Sequence, residues 1–169
     1  MAAVLAGCGD DLKKSLDDQN VAIIRYLDGR SLTYTIHNGV YRYIANADRD
    51  GYDAQTVAET GDEVWFDFEA RLFSSTSGAG ALFYTNKPEL IGELEGAETL
   101  SWPVTVQKVR LGVDPLLGGV ADAMPGCRTG DSLALFIPSN RAYGDRPMGV
   151  VPQNTTVVYV LNIRNVVKQ

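Results

Sequence analysis

The chain has 169 residues, 45% of them hydrophobic and 21% charged, a globular composition that excludes a disordered chain. At roughly 150 residues per domain this is about one domain plus a tail, long enough to bury one proper core. A net charge of −6 leaves no basic footprint for nucleic acid, and no apolar run of about 18 residues or more is present to form a membrane-spanning helix.

The start reads Val4-Leu5-Ala6-Gly7-Cys8. Small residues before a cysteine resemble a bacterial lipobox, in which the thiol is acylated before cleavage and the peptidase cleft admits only small side chains. Seven residues precede Cys8 and none is basic, so the n-region of a signal peptide is not within them. A lipid on Cys8 would anchor the protein to a membrane. Gly9-Asp10-Asp11 then reads as a polar tether.

Ser15-Leu16-Asp17-Asp18 loosely fits a capping box, and Ile23, Tyr26 and Leu27 recur at helical spacing, which predicts a short amphipathic helix over 16–28 with Gly29 as its C-terminal cap. Two β-type runs, 33–36 and 40–44, flank the turn signal His37-Asn38-Gly39. The clearest strand is 64–72: Val64, Phe66, Phe68, Ala70 and Leu72 share one face, and Trp65, Asp67, Glu69 and Arg71 the other. Residues 74–81, rich in Ser, Gly and Ala, read as a flexible loop or bulged excursion, and they lack the Gly-Lys-Ser/Thr ending of a phosphate-binding loop. Residues 87–99 read as a surface insertion.

A strand is predicted over 104–111. Asp114 can cap a helix with Pro115 at its first position, running to about Ala123. Gly118 and Gly119 weaken that helix by roughly 1 kcal/mol each relative to Ala, and so point to a close backbone approach. Two more alternating runs, 133–137 and 157–163, are separated by the long loop 138–152. These pieces predict an α+β fold, an antiparallel sheet of about five strands around one short helix, with a further helix at the N-terminus.

Hydrolytic and metal chemistry find little support. His37 is the single histidine, it sits in a turn signal, and no Gly-x-Ser-x-Gly elbow accompanies it. Cys8 and Cys127 are the only cysteines, in segments that suggest separate roles, and Cys127 reads as a small buried hydrophobe. No metal and no cofactor is expected.

The order of the remaining motifs is specific. Gly61-Asp62-Glu63-Val64 opens a strand, and Phe83-Tyr84-Thr85-Asn86 follows a loop. Leu111-Gly112 closes a strand, and Leu116-Leu117-Gly118-Gly119 begins a helix. Gly130-Asp131-Ser132-Leu133, Ile137-Pro138-Ser139, Ala142-Tyr143-Gly144 and Val150-Val151-Pro152-Gln153-Asn154 complete the series. Residues 59–167 thereby resemble an FKBP-type peptidyl-prolyl cis-trans isomerase domain, with 40–44 matching the family's first strand.

The resemblance implies an apolar pocket between sheet and helix that isomerises X-Pro bonds. It implies that Phe68 keeps the ring of a pocket tyrosine, that Phe83 packs on the proline, and that Tyr143 donates its hydroxyl to a ligand carbonyl. Leu116 and Leu117 stand at the helix start, where the Leu117 N–H binds ligand, and Val151 and Tyr159 form the remaining wall. Three positions depart from the family: Tyr84 stands for an aspartate, Val120 for a tryptophan floor, and Gln107 for a pocket aromatic.

Two functions stay open on these residues. One is an isomerase assisting folding of exported proteins in the bacterial cell envelope, lipid-anchored through Cys8 at the outer membrane or periplasmic face, acting on proline-containing peptides or unfolded exported chains. The other is an FKBP-like module that binds a peptide or protein with little turnover. A weaker third is an accessory of a surface assembly that uses the 15–28 helix. The expected layout is a lipobox-like tether over 1–14, a helix and extension over 15–38, and the FKBP-like domain over 39–169.

Overall fold

The computed structural model describes residues 7–94 and 103–169, with side chains from residue 12 onward. The lipobox residues Val4, Leu5 and Ala6, the Cys8 side chain, and the part of the 87–99 insertion beyond Leu94 lie outside that description.

Helix α1 spans Gly7–Gly29. It starts well before Ser15, which lies inside it, so the backbone of Gly9-Asp10-Asp11 is helical and not a tether. Leu12, Lys13 and Lys14 are good helix formers, and carboxylates near the start suit the positive end of the helix dipole. The left-handed residue after α1 is Ser31 (φ 55°), not Gly29, and Leu32 N–H closes the end on Leu27 O at 3.0 Å.

Strands β1 (Tyr34–His37) and β2 (Val40–Ile44) form a hairpin with Asn38 and Gly39 at φ 48° and 83°, the two positive values that a tight hairpin turn demands. Next come β3 (Glu63–Ser74), β4 (Gly78–Thr85), β5 (Gln107–Arg110), helix α2 (Gly118–Ala123), β6 (Ser132–Ile137) and β7 (Val157–Val167). All pairings are antiparallel, in the order β1-β2-β6-β7-β3-β4, with β5 also on β3. The fold class is as expected, with seven strands among the described residues where about five were predicted.

The strand that sequence reasoning missed is β4, whose first half is Gly78-Ala79-Gly80-Ala81. Small residues carry no alternation signal, yet they are needed here. A Cβ on Gly78, at φ 80°, would collide with the Tyr26 ring of α1, and one on Gly80 would lie 3.1 Å from Leu72 O. The β3–β4 ladder shifts register twice, between Ala70 and Arg71 and between Arg71 and Phe73.

One long edge of β3 pairs with β7; the other is shared by β5 at its start and β4 at its end. Buried Asn86 bridges the gap between them. Its Oδ1 accepts from Phe68 N–H at 2.7 Å, and its Nδ2 donates to Phe66 O at 3.3 Å and Thr105 O at 2.8 Å. A side-chain amide thus stands in for the missing backbone partner.

The sheet is covered on both faces. Inside, Val64, Phe66, Phe68, Leu133, Leu135, Leu161 and Ile163 pack with Val120, Ala123 and Met124 around α2. Outside, Ile23 and Leu27 of α1, one helical turn apart, are fully buried with Tyr41, Phe136 and Val158. This second core explains why β6 and β7, expected as alternating strands, carry apolar residues on both faces. Cys127 is fully buried in the inner core, and burial pushes its thiol up to about 12, so it is inert packing.

Helix α2 is shorter than predicted, with Leu117 and not Asp114 at its N-cap. Asp114 accepts from Arg110 N–H at 2.7 Å and closes the turn after β5. The close approach expected at the paired glycines is present: a Cβ on Gly119 would collide with Ile137 and lie 3.1 Å from Arg141 O.

Candidate functional site

A cavity of about 330 Å³ opens between the inner face of the sheet and the start of α2. Alternation along β3 aims Phe68 into it, and β7 contributes Tyr159 from the neighbouring strand. β4 contributes Tyr84, which pairs with Ala70 across the ladder. Leu116, Leu117 and Val120 line the helix side, Gln107 the β5 side, and Tyr143 reaches in from the connection between β6 and β7. The structure therefore brings eight of the sequence-selected residues to one wall: Phe68, Tyr84, Gln107, Leu116, Leu117, Val120, Tyr143 and Tyr159.

Two selected residues stand elsewhere. Phe83 faces an adjoining groove of about 880 Å³, which also includes Leu72, Met148 and Val150 and shares Tyr84 and Tyr143 with the cavity. It touches the cavity wall edge-on, with ring centroids 6.0 Å from Tyr143 and 6.4 Å from Tyr159. Val151 is buried in the inner core, because a tight turn pairs it with Met148 and swings Val150 outward to the groove in its place. Conversely, Phe66, Val109 and Pro115 line the cavity and were not selected. Phe66 was findable, since it precedes Phe68 by two on the same strand face.

Five aromatic rings line the cavity: Phe66, Phe68, Tyr84, Tyr143 and Tyr159. Phe68 and Tyr159 stack at 6.0 Å with 17° between planes, and Tyr84 stands edge-on to Phe68 at 4.7 Å. With valine at position 120, the aromatic surface comes from β3, β4, β7 and the β6–β7 connection, and none from the helix.

Its polar side chains are Gln107 and three tyrosines, and two of the tyrosine hydroxyls pair. The Tyr143 and Tyr159 oxygens are 2.7 Å apart, and either can be the donor. Burial raises the pKa of Tyr143, Tyr159 and Tyr84 above the usual tyrosine value, so all three stay protonated at neutral pH. Among the described lining residues there is no carboxylate, imidazole or thiol. The site can enclose an apolar ring and donate hydrogen bonds, and its described wall offers no general base.

Residues 54–164 match the sequence model of the family described as FKBP-type peptidyl-prolyl cis-trans isomerase. Among solved structures, the chain resembles a peptidyl-prolyl cis-trans isomerase from Pseudomonas syringae pv. tomato (16% identity, TM-score 0.60, covering 92% of this chain and 96% of that one). It also resembles the three FKBP domains of wheat FKBP73 (18%, 0.58, covering 82% and 50%) and FkpA from Escherichia coli (16%, 0.58, covering 94% and 64%). At these identities the likeness is one of fold. No curated protein sequence gives a match. The family match spans more than half of the chain, and the chain belongs to the FKBP-type peptidyl-prolyl cis-trans isomerase family.

Proposed function

We propose that this chain catalyses cis/trans isomerisation of X-Pro bonds, acting on unfolded exported polypeptides from a lipid anchor at Cys8 on the bacterial cell envelope. The observation that carries the isomerase reading is the Tyr143–Tyr159 hydroxyl pair, 2.7 Å apart, at the wall of an aromatic cavity. The barrier to peptide rotation is ~18–20 kcal/mol, set by amide resonance. It falls when a site binds the twisted amide better than the planar one. Phe68, Tyr84 and Tyr159 hold the proline ring away from water. Tyr143 donates to a substrate carbonyl while accepting from Tyr159, so the two hydroxyls form a chain that makes Tyr143 the stronger donor. The Leu117 N–H, at the N-cap of α2, is the second donor that the resemblance implies. No bond to the protein forms and no proton is transferred.

The test is the isomerisation rate of a short X-Pro peptide series with the full chain. Acceleration proportional to protein concentration supports the reading. A folded chain that gives no acceleration at high concentration contradicts it. Val120 and Tyr84, in place of an indole and a carboxylate, favour a second reading, a binding module; saturable binding of a proline peptide without acceleration would select it.

The anchor rests on Val4-Leu5-Ala6-Gly7-Cys8. Cys8→Ser is expected to release the protein from membranes in fractionation, and unchanged partitioning would refute the anchor.

A further inference from the structure

The connection from β6 to β7 carries Tyr143, and it is exposed from Asp145 to Val150. Few contacts hold such a segment, so each one counts toward where Tyr143 sits. Both of its ends meet at one side chain outside the cavity, Gln19 of α1. At the start of the connection, Gln19 Oε1 accepts from Ser139 N–H at 2.8 Å, and Gln19 Nε2 donates to Ser139 Oγ at 3.0 Å. At its far end, Nε2 donates to Asn154 O at 3.1 Å, and Oε1 accepts from Thr156 Oγ1 at 3.0 Å. The two amide hydrogens are shared further with Ser15 Oγ at 3.3 Å, within the helix.

From these two ends the bonding runs to the neighbour of Tyr143. Gly144 N–H donates to Ser139 O at 2.8 Å, and Asn154 N–H donates to Gly144 O at 2.7 Å. Gly144 is thereby clamped on both sides by the residues that Gln19 holds. Ser139 and Thr156 are buried, so their hydroxyls and the Ser139 N–H depend on this partner. Ile23, one turn further along α1, is fully buried and fixes the helix that presents Gln19.

We propose that Gln19 is a positioning residue for Tyr143, which makes α1 a working part of the site. The proposal rests on the reading that the Tyr143 hydroxyl acts in isomerisation. Gln19 touches neither the cavity nor a bound proline. It acts by closing the two ends of the connection onto each other, which holds Gly144, and therefore Tyr143, in place.

The test uses three variants of the full chain. Gln19→Leu keeps size and helix propensity but removes every hydrogen bond to the connection. Gln19→Glu keeps the two accepted bonds and loses the donated ones. Asn20→Ala is the control, since Asn20 receives the Tyr41 hydroxyl at 3.1 Å on the sheet and does not touch the connection. The readouts are amide hydrogen exchange, residue by residue, and the kcat and KM of isomerisation.

In Gln19→Leu, the Gly144 and Asn154 amides are expected to exchange roughly tenfold faster, while the β2–β6 ladder is unchanged. The kcat falls about tenfold with KM within about twofold, because the hydroxyl is needed most as the amide twists. Gln19→Glu lies between, and Asn20→Ala changes neither. The proposal is overturned if Gly144 and Asn154 exchange as in the wild type, if exchange rises equally across the sheet, or if they loosen with kcat intact. Should the wild-type chain accelerate nothing, the isomerase reading fails on its own, and exchange alone still decides whether Gln19 orders the connection.

Discussion

Tyr143 and Tyr159 share one hydrogen bond but not one environment. Tyr159 is 6% exposed, and Tyr143 is open to the cavity. Removing the Tyr143 hydroxyl therefore strands a buried one, whereas removing the Tyr159 hydroxyl leaves Tyr143 free to find water. Tyr143→Phe is expected to lower stability by ~1–3 kcal/mol and to cut kcat/KM about tenfold. Tyr159→Phe should cost under ~1 kcal/mol in stability and only a few-fold in rate. Denaturant melts and peptide assays of both variants and of the double variant check this; equal losses for the two single variants would refute it. Because burial raises the Tyr143 pKa above its usual 10.0, the donor stays neutral through pH ~6–9. The rate should be flat across that range, and a titration step there would implicate a different group. Tyr143 was legible in the sequence through the Ala142-Tyr143-Gly144 motif in the long loop 138–152. The Tyr159 hydroxyl was not: strand alternation assigns a face, and it cannot say that two hydroxyls from segments 16 residues apart will meet.

At the scale of elements, β3 depends on a side chain to complete its ladder. Asn86→Ala removes three hydrogen bonds and leaves Phe68 N–H buried without a partner. It is expected to cost about 3 kcal/mol, read as a lowered denaturant midpoint with unchanged slope. Gly119→Ala forces Ile137 and the Arg141 carbonyl away from α2, so it should lower activity as well as stability, by ~1–3 kcal/mol. Stability loss with full activity would mean that the connection tolerates the shift. Elements marked by strong periodicity were legible: β3, β6, β7 and the β1–β2 hairpin. Those governed by contact were not. Gly78 of β4 is required by Tyr26 and Gly80 by the Leu72 carbonyl, and Asp114 serves a turn while α2 starts at Leu117.

For the whole molecule, α1 and the sheet share a core, so they should unfold together. Ile23→Ala is expected to destabilise by ~2–5 kcal/mol. Helix-sensitive and tyrosine-sensitive signals should keep a single coincident transition; α1 melting ahead of the sheet would show that it is merely appended. Half of this arrangement was legible. The sequence marked an amphipathic helix and two alternating strands, but nothing local says that the one covers the other.

The outer edges of the sheet have a consequence for a protein proposed to handle unfolded chains. Among the described residues, β1 and β5 are four residues each, β5 carries Lys108 and Arg110, and β4 breaks register twice. Such edges are poor templates for backbone pairing by a passing strand. On the proposed function, a client would be gripped through its proline and carbonyls in one small cavity and would not be annexed as an extra strand. It would then dissociate after each turn of the bond, which keeps such a protein from co-aggregating with its proposed clients.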